Sequence, residues 1–447
     1  MKGILKGSII GLFVFAMSMV MLSPNAWATS AFARKYGLAC NTCHTVAFPR
    51  LNYYGEKFMR NGFQIPGGQD GSTKGKAAIA DDLTLDERLG DMMGVRGKIR
   101  IIEKQQGEDS SGDSIPSTLG STVFGAIFAS GTIAENIPVW VEMETNTSTS
   151  ETELHNYFVG WNNIGGTTLA NLRVGGFTPT EWTSFSDQKR AFDGPVSHPG
   201  AFRPSSFGKD FIDTNADGIP DDNNDPFNLR THTGIEYYGY TGPAFWALGV
   251  NDKMGANYNA DSSDDSNKDW YLVLRGEMPE GPIEGSSISL LSYWANVGSD
   301  DYDPNDPASP SKTDASFKVY DLSANLRMGP LDLLAAYVWD SDLNQEATGS
   351  PSQDDDKGYV VEADYKVMKN LMGILRYDSF EDGTITSGDS KTKTWALGVV
   401  YTPRENVKLT TSYTLDTSDD TSLTSTKSGT KFGEQNNIWD VELQFMF

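Results

Sequence analysis

The chain holds two cysteines, Cys40 and Cys43, and a histidine follows the second directly, within "ACNTCHTVAFPRLNYYGEKFMRNGF", residues 39–63. A close pair of thiols can form a disulfide or a redox-active dithiol. The added histidine changes the chemistry, because C-x-x-C-H is the pattern of covalent c-type haem attachment. The two thiols add to the vinyl groups of haem, and the adjacent imidazole ligates the iron from the proximal side. Cys40 and Cys43 are the expected thioether residues, and His44 the expected iron ligand. A thioredoxin-like dithiol needs a strand before the motif and a long helix after it, and the local sequence offers neither. Aromatic residues crowd the motif: Phe32, Tyr36, Phe48, Tyr53, Tyr54, Phe58 and Phe63.

The distal side of the iron has several readings. Met59 is the nearest methionine downstream, on a segment whose Leu51, Tyr54 and Phe58 fall on one helical face. Met92 and Met93 lie further on. Methionine more often fills core gaps than binds metal, and an open or water-ligated iron is the remaining alternative.

The elements that must position this chemistry begin with an export signal. Lys2 and Lys6 precede an apolar run from Ile9 to Leu22, and small residues stand at Ala26 and Ala28. That order is the pattern of a secretory signal peptide over residues 1–28, cleaved after Ala28. The run is too short for a good membrane-spanning helix, and no later segment approaches the ~20 apolar residues one needs. The residues from 29 to 93 form the expected haem segment.

From residue 94 to 447 the texture changes. Segments of about ten residues alternate apolar with polar, the periodic signature of a transmembrane β-barrel. In "NIWDVELQFMF" Trp439, Val441, Leu443, Phe445 and Phe447 share one face, and Asp440, Glu442 and Gln444 the other. "YVVEADYKV" sets Tyr359, Val361, Ala363, Tyr365 and Val367 against Glu362, Asp364 and Lys366. Sixteen such segments are predicted, the first over 94–104 and the last over 435–447. Short links ("TG" at 241, "MGPL" at 328, "VMKN" at 367, "TPREN" at 402) alternate with longer acidic ones, the link near 147–151 excepted. Outer-membrane barrels have short periplasmic turns, long external loops and an even strand number. The expected fold is therefore an all-β barrel of sixteen antiparallel strands, with both its ends and the haem segment on the periplasmic side. A soluble sandwich or propeller is the alternative, since strands half-buried in a soluble core alternate too.

Taken together, the chain resembles the outer-membrane porins fused to an amino-terminal monohaem cytochrome c, a family best known from iron-oxidising bacteria. "FARKYGLACNTCH" and "FPRLNYYGEKFMRNGF" carry the resemblance. Phe32, Ala33 and Arg34 match the family's lead-in, Pro49 opens the next segment, and Gly62 and Phe63 close it. "LNYYGEKF" departs from the Thr-Pro-Phe-Gly that the family places there. The motif covers about thirty-five residues, and the rest is a likeness of architecture. The resemblance implies electron transfer across the outer membrane, from extracellular Fe(II) to a periplasmic cytochrome c, with outer-membrane lipid around the barrel. The alternatives are a general porin with a structural or redox-sensing haem plug, and export of electrons to an external acceptor. Many sixteen-stranded porins form trimers, so oligomerisation is a further expectation.

A barrel of this size has room for an aqueous lumen. Its apolar band is about 25 Å tall, a long gap for one electron hop. The haem segment is small for an independent domain. Both points favour a plug folded inside the lumen. "GVRGKIR" sends Arg96, Lys98 and Arg100 to one face, where Arg96 and Arg100 would suit haem propionates. The same residues equally suit a basic ladder opposite acidic strands.

Net charge is −24. Such a surface attracts cations and repels nucleic acid, so DNA and RNA are excluded as partners. The acidic loops keep the exterior soluble, and could enrich ferrous iron at the mouth, with Glu142, Glu144, Glu362 and Glu442 continuing the path inside. One long loop contains "DTNADGIPDD", in which Asp213, Asn215, Asp217 and Asp221 are spaced like the opening of a calcium loop, with Gly218 for the turn. A plain Asx-rich turn gives the same pattern. The loop either folds inward as a constriction or stands outside as a lid.

Overall fold

A computed structural model describes residues 31–66, 76–80, 83–86, 92–105, 118–146, 151–186, 191, 229, 231–252, 268–297, 315–341, 355–381, 391–418 and 437–446. The signal segment, the Asp213–Asp221 motif and Phe447 lie outside them.

Sixteen antiparallel strands close into one barrel. They are β3 (Met93–Gln105), β4 (Thr118–Ala134), β5 (Ile137–Asn146), β6 (Glu151–Trp161), β7 (Asn171–Phe177), β8 (His232–Thr241), β9 (Ala244–Asn251) and β10 (Asp269–Glu277). The rest are β11 (Ser287–Val297), β12 (Ala315–Met328), β13 (Leu331–Ser341), β14 (Lys357–Met368), β15 (Leu371–Glu381), β16 (Lys391–Arg404), β17 (Val407–Asp416) and β18 (Ile438–Met446). Each neighbours the next in the chain, and β18 pairs with β3 to close the ring. Each segment predicted from alternation corresponds to one strand. A hairpin of β1 (Lys76–Ala80) and β2 (Leu83–Asp86) forms a separate two-stranded sheet beside β4 and is not anticipated by the sequence reading.

Alternation explains the wall. Tyr359, Val361, Tyr365 and Val367 face outward and are exposed, whereas Glu362 and Asp364 are 0% and 1% exposed on the inner face. In β18 Trp439 points out, while Asp440, Glu442 and Gln444 are buried inward. The outer face carries Leu248, Leu274, Ile288, Leu322 and Leu397, the apolar band that lipid requires. Aromatics bracket it: Tyr320 stacks on Trp339, Trp339 on Tyr337, and Tyr377 meets both Tyr359 and Trp395. These rings form one belt across β12 to β16. No helix among the described residues is long and apolar enough to cross a membrane.

The inner face is charged and paired. Arg96 meets Glu144 at 2.9 Å, Lys98 meets Glu442 at 3.6 Å and Arg100 meets Asp440 at 2.7 Å. On the neighbouring strands β14 and β15, Arg376 donates from Nε to Glu362 at 2.8 Å. The basic ladder expected of β3 is therefore present, with a carboxylate opposite each cation.

The long connection after β7 turns inward where it is described. A 3-10 turn over Pro179–Trp182 buries Trp182, and Phe185 follows into the interior. The backbone N–H of Ser184 donates to Ser289 Oγ at 2.7 Å, tying the loop to β11 across the lumen. Of the two readings of this loop, the described part follows the constriction.

Candidate functional site

The C-x-x-C-H motif lies between two short helices inside this ring. Ala31–Tyr36 forms α1, Cys40–Thr42 a single 3-10 turn, and Tyr53–Arg60 forms α2. The 3-10 turn folds the motif back on itself: the N–H groups of Cys43 and His44 both donate to the Cys40 carbonyl, at 3.2 and 3.0 Å. Asn52 then ties the motif to α2. Its side-chain oxygen accepts from the N–H of Gly55 at 2.9 Å, the usual work of an N-cap. Its amide nitrogen donates to the Thr42 carbonyl at 2.9 Å, and its own N–H donates to the Cys43 carbonyl at 2.9 Å. Gly55 must be glycine here, because a Cβ would lie 2.1 Å from that same Cys43 oxygen.

The motif's chemistry can be tested on these contacts. His44 Nδ1 lies 2.9 Å from the Pro49 carbonyl oxygen, which can only accept. Nδ1 therefore carries the proton, and the lone pair is left on Nε2. That orienting bond is the one metal-bound histidines make through their second nitrogen. Burial lowers the pKa of His44, favouring the neutral ring that a metal needs. Burial, aided by Cys40, pushes the Cys43 thiol up to about 11. A dithiol that exchanges disulfides is tuned the other way, toward thiolate. The two cysteines are not joined as a disulfide. The donor set fits haem c better than thiol exchange.

The segment is held from all sides by the inner wall. Arg50 pairs with Asp332 of β13 at 2.8 Å and with Asp364 of β14. Glu56 accepts from Arg275 of β10 and Arg327 of β12. Arg60 meets Glu277 at 2.7 Å, and Tyr238 of β8 donates to the Arg60 carbonyl at 3.1 Å. Lys35 donates to Thr132 of β4 at 2.8 Å, and the N–H of Cys40 donates to Glu405 in the β16–β17 turn at 3.1 Å. Phe63 stacks near Trp140 of β5 and Phe158 of β6, with centroids 5.3 and 6.1 Å away. A segment that touches β4, β5, β6, β8, β10, β12, β13 and β14 at once lies within the ring. These wall partners sit near the short turns, so it occupies that end of the lumen.

Of the aromatics that crowd the motif, Phe32 reaches Trp140 of the wall at 6.3 Å, while Tyr36 and Phe58 meet edge-on at 5.6 Å within the segment. Met59 packs between this cluster and the larger barrel cluster. It lines a cavity of about 10 Å³ with Trp182 and Phe245, room for about one water. Met92 is buried near Gly131, and Met93 is turned outward. Arg96 and Arg100 stand on β3, held by the carboxylates named above. Sequence reasoning missed Asn52, although an Asn three residues before Gly55 at a helix start is a readable cap. It also missed His155, which the fold brings against Glu142 and Glu144.

No protein-family model matches the chain, and no curated protein sequence does. Solved structures do match in shape. OmpF of Salmonella typhi, in complex with daunomycin, covers 83% of this chain and 100% of its own, at 11% identity and a TM-score of 0.52. The anion-selective porin of Comamonas acidovorans covers 79% and 99%, at 14% identity and 0.52. OprB of Pseudomonas putida covers 79% and 93%, at 10% identity and 0.52. The fold is that of the outer-membrane porins. At these identities the likeness concerns the barrel alone, and it fits the outward apolar band and the paired, polar lumen.

Proposed function

We propose that this chain is an outer-membrane barrel carrying one haem c on its amino-terminal segment, and that it transfers electrons between the exterior and the periplasm. One observation carries the reading: His44 in C-x-x-C-H is fixed through Nδ1 with Nε2 left for a metal, on a segment pinned inside a porin fold. Bound haem would supply a one-electron couple. Cys40 and Cys43 would anchor it, His44 would ligate its iron, and the wall pairs would hold the segment at the turn end. By analogy with porins, short turns face the periplasm, which puts the motif within reach of a periplasmic cytochrome c. The family resemblance makes extracellular Fe(II) the expected donor, and a charge of −24 suits a cationic donor.

A second reading is a porin in which the segment restricts the lumen and the haem is structural or sensory. The barrel's likeness to porins favours it, since none of those likenesses extends to a haem. The haem spectrum of intact cells before and after membrane-impermeant Fe(II) separates the two. Rapid haem reduction from outside supports electron transfer. A haem that stays oxidised while the barrel conducts ions supports the porin.

A further inference from the structure

Glu142 and Glu144 point inward from β5, two residues apart. A register shift interrupts the pairing of β5 with β6: Val141 faces Tyr157, yet Met143 faces Leu154. Two residues of β6, His155 and Asn156, are therefore accommodated opposite Glu142. Such bulges re-aim side chains and are frequent beside functional sites. This one brings His155 Nδ1 to 3.8 Å from Glu142 and 4.0 Å from Glu144. One ligand atom from each of the three lies within 4.8 Å of the others. The carboxylates are nearly buried, at 7% and 13% side-chain exposure, and the imidazole is open to the lumen at 36%.

Two buried carboxylates share the Arg96 guanidinium, which lies 2.9 Å from Glu144 and 3.6 Å from Glu142. Arg96 is itself steadied over the Phe124 and Phe128 rings. Asn156 Nδ2 stands 3.0 Å from His155 Nδ1, and its oxygen accepts from Thr231, so the amide donates to the nitrogen nearest the carboxylates and must turn away when that nitrogen takes a metal.

We propose that Glu142, Glu144 and His155 form a binding site for a divalent first-row transition metal on the lumen wall. A tetrahedral ion about 2 Å from each donor holds the donors about 3.4 Å apart, so His155 Nδ1, at 3.8 and 4.0 Å from the two carboxylates, closes on a shared ion with a shift of about half an ångström. An imidazole with two carboxylates suits Zn²⁺, Fe²⁺ or Mn²⁺, whereas Ca²⁺ and Mg²⁺ prefer oxygen alone. Arg96 is the resident cation and competes with the metal. The site stands on the barrel wall and does not rest on the haem reading.

The test uses the full-length, haem-loaded protein folded in detergent. Zn²⁺ is titrated calorimetrically with Ca²⁺ and Mg²⁺ as controls, and bound Mn²⁺ is probed by pulsed EPR for a directly coordinated nitrogen. We expect His155→Gln to remove the nitrogen coupling, and His155→Gln or Glu144→Gln to weaken Zn²⁺ at least tenfold. Arg96→Gln should tighten Zn²⁺ several-fold, an effect that simple loss of structure would not produce. Nitrogen coupling that survives His155→Gln overturns the proposal. So does Zn²⁺ affinity unchanged in both His155→Gln and Glu144→Gln, or displacement of Zn²⁺ by equimolar Ca²⁺.

Discussion

Replacing Arg50 by methionine should release the amino-terminal segment from the barrel. The Arg50 side chain is 1% exposed, and it faces Asp332 at 2.8 Å and Asp364, whose side chain is 0% exposed. Removing the guanidinium strands Asp364 in a dry part of the wall, beside an Asp332 that is 19% exposed. Breaking a buried pair by removing one partner costs about 3–5 kcal/mol, mostly the penalty of the charge left behind. At about 1.4 kcal/mol per factor of ten, the lower figure raises the open population of the segment by about 150-fold. The loss is local, because β13 and β14 keep their own pairing register. Amide exchange over 31–66 should accelerate by about two powers of ten, while exchange in β10 to β16 changes little. Adding Asp332→Asn and Asp364→Asn should recover much of the protection, since neutral amides are far cheaper to leave behind. Equal exchange in Arg50→Met and the parent protein would refute the reasoning, and so would acceleration spread evenly over the strands.

Other outcomes follow from the same contacts. Denatured protein should retain haem peroxidase activity on a gel, and Cys40→Ala with Cys43→Ala should abolish it; stain that survives both changes sinks the covalent assignment. Gly55→Ala, whose Cβ would lie 2.1 Å from the Cys43 carbonyl oxygen, should destabilise the segment by about 1–3 kcal/mol; the yield of haem-loaded protein is the readout, and normal yield argues against the close approach. Asn52→Ala removes a cap worth about 1 kcal/mol and should loosen α2 in hydrogen exchange more than α1. Deleting residues 29–93 should raise single-channel conductance in planar bilayers, though not to that of an empty barrel, because the inward loop carrying Trp182 and Phe185 remains.

The barrel was legible because its signal is local and repeated. Each strand displays period-two alternation within its own residues, as in β14, where Tyr359 and Val361 face out and Glu362 faces in. The hairpin β1–β2 escaped because "KAAIA" and "LTLD" are too short to show a period. The C-x-x-C-H pattern was visible in the sequence because its residues are adjacent in the chain. Its setting was not, because the partners of Arg50 and Glu56 lie more than two hundred residues away. His155 escaped for a related reason. Its neighbour Glu142 is thirteen positions distant, and only the slipped register between β5 and β6 aims the two at each other. Alternation alone cannot show a bulge.

The pairing of segment and barrel in one chain has a physical basis in these long-range contacts. The segment from 31 to 66 buries Lys35, Arg50, Glu56 and Arg60, all charged and all below 9% exposure. Chains this short bury too small a fraction of their surface to offset the ordering entropy by themselves. An isolated buried charge costs far more than the stability such a segment could muster. Each of these four finds its neutralising or hydrogen-bonding partner on the wall: Thr132, Asp332 with Asp364, Arg275 with Arg327, and Glu277. Cut free, the segment would expose both its charges and the Phe32–Phe58–Phe63 cluster to water. Left in place, it adds its charges to an inner wall where Arg275 also meets Glu277 at 3.1 Å. The segment and the barrel therefore complete one another's electrostatics, and the segment cut free as a separate soluble chain should not hold the fold that presents His44.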